Sequence, residues 1–147
     1  MFNKIIHINR IEDIRYGTTK IRFQKSQAEI MALLKKHGCE ETAVITKGNE
    51  CKIGFIYEGK PYMLDIPQVY VKKVYVDWIG IRIVKYYLEI LLELSKQRVV
   101  NFDDAMLGTR MVEMNGKKFT LREVVDTMPM PRLTDGFHSQ PQEEGVK

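Results

Sequence analysis

The feature that most constrains the fold is the stretch from Trp78 to Leu94, which as a helix would be apolar around most of its circumference. The charged residues of this stretch recur at helical spacing, and Lys96, just beyond its end, continues the pattern. Together they form one narrow stripe: Arg82, Lys85, Glu89, Glu93 and Lys96. That charge density is incompatible with a membrane span. We expect a helix from about 78 to 98, with Asp77 as its N-cap, that has to be covered on more than one side.

Two apolar sets share this helix. The set expected to face the core comprises Trp78, Ile81, Val84, Leu88, Leu91 and Leu92. A second set lies off that face: Ile79, Ile83, Tyr86, Ile90 and Leu94. An exposed patch of that size exceeds the few hundred Å² that monomers usually tolerate. We therefore predict a two-fold homodimer through the second set. The alternative is that residues 110–128 of the same chain cover it.

The N-terminal half predicts a β-α-β-β-β order. Ser26 and Glu29 have the spacing of a capping box, and Gly38 supplies the left-handed residue that ends a helix. The predicted helix therefore covers about 27–37. Before this helix we expect strands at 4–8 and 18–23. After it we expect an antiparallel meander that packs one face on the helix, with strands at 42–46, 51–57 and 61–66. Residues 69–76 form either a fifth strand or an extended arm.

The C-terminal half contains strong local signals. Asn101 is placed to cap a short helix through Leu107, and Asn115-Gly116 is a typical hairpin turn. Thr120 and Glu123 form a second capping box, which begins a helix that ends before Pro129. The expected fold is α+β: a small antiparallel sheet packed on helices, then the long helix, a closing hairpin and a short helix. Residues 1–128 form one domain, and residues 129–147 are expected to be a flexible tail.

Composition indicates an ordinary globular protein of the cytoplasm. Hydrophobic residues make up 44% of the 147 residues, and the formal net charge of +4 is compatible with a polyanionic partner. Cys39 and Cys51 are too few and too unpatterned for a zinc site or a disulfide framework, so we expect free thiols in a reducing compartment. Residues 1–10 have no apolar core of signal-peptide length.

Catalytic signals are weak. Glu58-Gly59-Lys60, with Asp65 nearby in sequence, has the Glu-x-Lys pattern of metal-dependent nucleases, but the glycine and the following proline favour a hairpin turn. Asp103-Asp104 is a paired carboxylate better explained as the acidic first turn of a helix. No two of the three histidines, His7, His37 and His138, share the spacing of metal ligands. We therefore expect no catalytic residues, metal or cofactor, and rank a nuclease third among the hypotheses.

The basic residues are more informative. Lys20 and Arg22 would share one face of the predicted strand 18–23. Lys72 and Lys73 are interleaved with Tyr70 and Tyr75, and aromatic rings among cations can stack bases while the cations neutralise phosphates. We predict sequence-independent contact with DNA or RNA through these six residues. The alternative is a solvated sheet face with tyrosines half buried at its edge.

Several motifs together resemble a family of uncharacterised small phage and prophage proteins. They are Tyr16-Gly17-Thr18-Thr19-Lys20, the Lys25-Ser26 helix start, the Asn101–Leu107 acidic turn, and the closing segment from Asn115 to Val124. The resemblance covers about residues 16–128 and implies a small protein made during phage growth, with no assigned activity. It leaves two leading hypotheses: a non-enzymatic accessory protein that contacts nucleic acid, or one that binds a host protein such as a defence component.

Overall fold

A computed structural model describes residues 4–127 and has an α+β fold. Two long helices are present, α1 (Phe23–Lys36) and α2 (Asp77–Lys96), with two short ones, α3 (Phe102–Ala105) and α4 (Leu121–Thr127). Single-turn 3-10 helices occur at Ile11–Asp13 and Leu107–Thr109. The predicted tail, 129–147, lies outside the described residues. No helix among the described residues has the length and apolarity needed to cross a membrane.

The strands form three small sheets. The predicted meander is confirmed as an antiparallel sheet of β2 (Glu40–Lys47), β3 (Glu50–Tyr57) and β4 (Lys60–Asp65). A second sheet holds β1 (Ile5–Ile8), β5 (Gln68–Val71) and β6 (Val74–Val76), with β1 parallel to β5 and β5 antiparallel to β6. The predicted closing hairpin is also confirmed, as β7 (Met111–Met114) and β8 (Lys117–Thr120).

Two layers cover α2, as its apolar circumference requires. The main core joins α1 and α2 to the inner face of the meander, where Ile53 and Phe55 pack with Ile30, Leu34 and Leu88. A second cluster on another side of α2 holds Val69 and Val76 from the second sheet together with Ile79, and all three are buried. The main core takes most of the first apolar set. The second cluster takes Ile79 and Ile83 of the second set together with Trp78 of the first, and Ile90 stays 60% exposed. The closing hairpin is instead joined to the meander, through a bridge between Arg110 and Tyr62.

The predicted strand at 18–23 is wrong. Residues 11–18 form a 3-10 helix and successive turns, in which Gly17 N donates to Ile14 O at 3.1 Å and Thr19 N to Tyr16 O at 3.2 Å. Phe23 then begins α1 directly. Gly17 is required there, because a Cβ would lie 1.8 Å from the carbonyl oxygen of Ile11. Local turns therefore override the alternation of apolar and charged residues.

The predicted N-cap at Ser26 is also wrong, because α1 begins three residues earlier and Ser26 lies inside it, fully buried. Its hydroxyl accepts from Arg82 at 3.5 Å, and Glu29 forms an ion pair with the same guanidinium. Arg82 is itself almost fully buried, so it is a tie between α1 and α2 and not part of a solvated stripe. Asp77 is likewise the first helical residue and not the N-cap, which is Val76.

Residues 69–76 form two strands and the turn between them, not one strand or an arm. Lys72 and Lys73 are the turn residues, with φ of 49° and 68°. Positive φ at both central residues is the mark of a type I′ turn, the connection that best matches the twist of a hairpin. Both predicted C-terminal caps are confirmed: Asn101 accepts from Asp104 N at 3.0 Å, and Thr120 accepts from Glu123 N at 3.3 Å. The helix that Asn101 caps is shorter than predicted, since it ends at Ala105 and not at Leu107.

Candidate nucleic-acid interface

Three aromatic side chains form a row across the outward face of the second sheet. Side chains alternate between the two faces of a strand, so Val69 and Val76 enter the second cluster while their neighbours face away from it. The strand register places His7 opposite Tyr70, and Tyr70 opposite Tyr75. Ring centroids are 5.4 Å apart for the first pair and 5.6 Å apart for the second. We call His7, Tyr70 and Tyr75 the aromatic row.

The tyrosine hydroxyls fix the orientation of the row. Tyr70 donates to Gln68 Oε1 at 3.2 Å and accepts from Asn49 at 3.4 Å, while Tyr75 donates to the carbonyl oxygen of Asn49 at 3.3 Å. Asn49 lies in the β2–β3 turn, so the tip of the meander braces the row from one side. Partial burial, and then the nearby charge of Asp77, raise the pKa of Tyr75. Both tyrosines are half-buried and His7 is exposed, so part of the row is accessible to solvent.

The exposed Lys72 and Lys73 lie at the end of the hairpin that carries both tyrosines. The backbone N–H of Lys72 donates to Ile8 O at 3.0 Å, which anchors the turn to β1. Neither lysine forms an ion pair with any residue of the described chain. The turn thus holds two positive charges without an ion pair among the described residues, at the end of the hairpin that carries Tyr70 and Tyr75.

Lys20 and Arg22 do not share a sheet face, because the strand that would have aligned them is absent. Both are exposed in the loop that precedes α1. They belong to a different part of the backbone from Lys72 and Lys73, and the structure gives no reason to treat all four as one surface. Sequence reasoning missed His7, although its place in the alternating pattern of residues 4–8 was an available signal.

The predicted dimer residues have different environments. Ile79 is fully buried in the second cluster and has no surface left for a partner. Tyr86 is taken up inside the chain: its ring stacks on Tyr16 at 4.5 Å, and its hydroxyl accepts from Arg82 at 2.9 Å. Ile83 and Leu94 are partly buried, whereas Ile90 is 60% exposed.

One exposed residue of α2 was missed. Tyr87 is 45% exposed and continues an apolar stripe whose members, Ile83, Tyr87, Ile90 and Leu94, are spaced by four, three and four residues. That spacing is typical of a coiled-coil seam. A groove of about 610 Å³ between α1 and α2 runs beside the stripe and is lined by Leu33, Ile90 and Leu94. We call these four stripe residues the α2 seam.

The carboxylates examined for metal binding are used in other ways. Glu58 and Gly59 have positive φ in the β3–β4 turn, which confirms that Glu58-Gly59-Lys60 is a hairpin tip. Asp65 pairs with Lys4 at 2.8 Å. Asp103 accepts from the Tyr62 hydroxyl at 2.8 Å, and this bond, with nearby cations, lowers its pKa. Within residues 4–127 no three potential ligands cluster for a metal ion; His138 lies outside that range.

The two cysteines are free and chemically quiet. Cys51 is buried in β3, and Cys39 is partly buried before β2. Burial raises the pKa of the Cys39 thiol to about 11 and shifts the pKa of Cys51 in the same direction. A high thiol pKa keeps the nucleophilic thiolate scarce at neutral pH, so neither side chain is poised for nucleophilic chemistry.

Neither the scan against protein-family models nor the searches of curated proteins and of solved structures found a match. The resemblance to phage and prophage proteins therefore remains a prediction.

Proposed function

We propose that this protein is a non-enzymatic accessory protein that binds single-stranded nucleic acid on the aromatic row. The observation that carries the proposal is the alignment of His7, Tyr70 and Tyr75 across three strands beside the unpaired cations of the Lys72-Lys73 turn. Successive bases can stack on such a row without regard to sequence, since every base has a π-face. In this proposal the protein acts in the host-cell cytoplasm during phage growth.

The expected binding is weak and depends on salt. Each stacked base contributes about 1–3 kcal/mol. Two neutralised phosphates give a slope of log affinity against log salt of about −1.4 for a single strand. The proposed contacts come from strands and a turn and include no base-reading helix, so DNA and RNA of any sequence should bind similarly.

The turn allows a test that separates binding from folding. Asn and Gly adopt positive φ more readily than lysine. Lys72→Asn with Lys73→Gly therefore removes two charges while it makes the type I′ turn more stable. We expect fluorescence anisotropy at low salt to show at least tenfold weaker binding of a thymidine oligonucleotide by this variant, with an unchanged or higher melting temperature.

Two controls complete this experiment. Lys117→Gln with Lys118→Gln removes the same charge from exposed positions of β8 and should leave most of the affinity intact. Tyr75→Phe keeps the ring and should bind, whereas His7→Ala should weaken binding because it shortens the row. Equal affinity of the turn variant and the β8 variant would contradict the proposal, as would no binding by the wild-type protein at low salt.

A second candidate is a protein-binding role through the α2 seam. Tyr87 and Ile90 are large apolar residues exposed on one face of a helix, at a spacing that suits a second helix. We propose a second copy of this chain as the partner, because two-fold dimers are the commonest oligomers. A host protein docked on the same seam is the alternative partner.

A further inference from the structure

A cleft of about 900 Å³ opens where α1 and α2 both end. Its basic lining comes from separate elements: Lys36 and His37 from the end of α1, Lys60 from the start of β4, and Lys96 and Arg98 from the end of α2. We call this the basic cleft. It shares no residue with the aromatic row or its lysine turn.

Positive charge in the basic cleft exceeds negative charge. Its only carboxylates among the described residues are Glu58 and Asp103, and Asp103 is already engaged by Lys60 at 3.5 Å and by Arg110 at 3.3 Å. Lys36, Lys96 and Arg98 have no ion-pair partner within the described chain. Burial, followed by the charges of Lys36 and Lys96 and opposed by Glu93, lowers the pKa of His37. A mobile anion in the cleft would relieve this local excess of positive charge.

Helix electrostatics explain part of this lining. The C-terminal end of a helix carries partial negative charge, so cations in its last turn are stabilising. Lys36 and Lys96 occupy such positions. Arg98 does not, because it lies beyond the end of α2 and in the left-handed conformation, with φ of 59°.

The hydrogen bonds at the end of α1 show which residue type usually occupies the position that Arg98 has in α2. In α1, Cys39 N donates to Leu34 O at 2.9 Å and Gly38 N to Lys35 O at 3.0 Å. In α2 the same two bonds recur at the same lengths, from Val99 N to Leu94 O and from Arg98 N to Ser95 O. Arg98 thus stands where α1 has Gly38, at a position that favours glycine. Arg98 lines the cleft, and its side chain forms no hydrogen bond within the described residues.

We propose that the basic cleft binds the phosphate groups of a small phosphorylated molecule, held by Lys36, Lys96 and Arg98. Arginine binds phosphate oxygens through paired N–H groups, and lysine adds point charge. Val99, which is 68% exposed, and the nearly buried rings of Tyr57 and Phe102 also line the cleft, and Val99 offers apolar surface for the organic part of such a ligand. The left-handed backbone at Arg98 is the conformational cost of keeping the guanidinium at this edge.

The test uses the full chain, inorganic pyrophosphate as the probe and isothermal titration calorimetry at low salt. We expect Arg98→Gly to weaken pyrophosphate binding at least tenfold and to raise the melting temperature by about 3 °C, since glycine relieves the left-handed strain. A merely structural role for Arg98 would not move these two quantities in opposite directions. NMR titration of His37 should show its pKa rising when pyrophosphate is added.

Adjacent lysines provide the matched control. Lys36 lines the cleft, whereas Lys35 is exposed in the same helical turn and does not. Lys36→Gln should weaken pyrophosphate binding several-fold, and Lys35→Gln should leave it unchanged. No pyrophosphate binding by the wild-type protein, or equal effects of the two substitutions, would overturn the proposal.

A further arm separates free phosphate compounds from a nucleic-acid backbone. The Lys72→Asn, Lys73→Gly variant should lose oligonucleotide binding yet keep wild-type affinity for pyrophosphate, so the two proposals can fail independently. If Arg98→Gly abolishes oligonucleotide binding while pyrophosphate does not bind the wild-type protein, the assignment to a small ligand is wrong.

Discussion

Gly80→Ala should destabilise this protein, although the same change stabilises most helices. Alanine in a helix interior is favoured over glycine by about 1 kcal/mol. At Gly80, however, a Cβ would lie 2.0 Å from the carbonyl oxygen of Pro67 and 3.1 Å from its carbon, both of which are backbone atoms. Normal van der Waals contact requires more than 3 Å, so α2 or the link between β4 and β5 must shift by about 1 Å.

The magnitude follows from the two opposing terms. Overpacking a rigid site costs about 1–3 kcal/mol and occasionally more, and here the obstacle is backbone that no side-chain rotation can clear. We therefore take the upper end of that range, about 3 kcal/mol. Subtracting the helix gain of about 1 kcal/mol leaves a net fall of about 2 kcal/mol in the free energy of unfolding. Urea unfolding, followed by far-UV circular dichroism and by the fluorescence of Trp78, measures it.

Gly108→Ala is the matched control for this prediction. Its Cβ would meet the guanidinium of Arg122 at 2.7 Å, and the end of a flexible side chain can move aside. We expect a change of less than about 1 kcal/mol, within the usual range for surface substitutions. A Gly80→Ala protein as stable as the wild type would refute the close packing of α2 on Pro67.

Two other predictions concern the hydrogen bond between Tyr62 and Asp103 and the α2 seam. Asp103→Asn should lower the free energy of unfolding at pH 7 by about 1–2 kcal/mol, because it weakens the charged hydrogen bond from Tyr62. The pKa of Asp103 in the folded state lies below its ordinary value of 3.8. Its contribution to stability is therefore present above pH 3.8 and is lost as the pH falls through the lower folded-state value. Thermal melts across this range should show a melting temperature that depends less on pH in the variant than in the wild type. For the seam, Tyr87→Glu with Ile90→Glu should convert a dimer to a monomer in light scattering, while the matched change Val125→Glu, at a 50% exposed site, should not. A wild-type protein that is monomeric at micromolar concentration would end the dimer proposal.

Helix caps and tight turns could be predicted from the sequence. The Asn101 cap, the Asn115-Gly116 turn and the Thr120 cap all form as predicted. In each case the residues that decide the structure lie within four positions of one another. The meander was predictable for the same reason, since short turns join its three strands.

Pairing between strands that are distant in the chain could not be predicted from the sequence. β1 pairs in parallel with β5 about sixty residues later, and no local signal indicates such a partner. The Ser26 and Glu29 pair has the spacing of a capping box, yet both side chains serve Arg82 from within the helix. A buried guanidinium requires hydrogen-bond partners, and that requirement outweighs the local capping preference. This tertiary override explains why the start of α1 was misplaced.

The candidate sites were partly predictable, because residue type was visible while backbone conformation was not. The sequence shows Lys72 and Lys73 as basic residues between aromatics, but neither is a typical residue for a left-handed turn, so the prediction was a strand or an extended arm. Arg98 gave no signal for the same reason. Its importance is apparent only from the matching hydrogen bonds at the ends of α1 and α2.

Both proposed binding surfaces contain basic residues in the left-handed backbone conformation. A residue with a Cβ in the left-handed region is disfavoured by about 1–2 kcal/mol. At the β7–β8 turn the chain avoids this cost by using Asn115 and Gly116, and at the end of α1 it uses Gly38. At Lys72, Lys73 and Arg98 it carries cations instead, and none of their side chains forms an ion pair among the described residues. Tyr16, also left-handed, is held by stacking on Tyr86. Glu41 and Glu58 are left-handed as well, so this backbone conformation does not by itself specify an anion. At the three cations the backbone hydrogen bonds are formed, as from Lys72 N to Ile8 O at 3.0 Å, while the side-chain charges have no counter-ion among the described residues. An anion from outside the chain is therefore the partner that both proposals have in common.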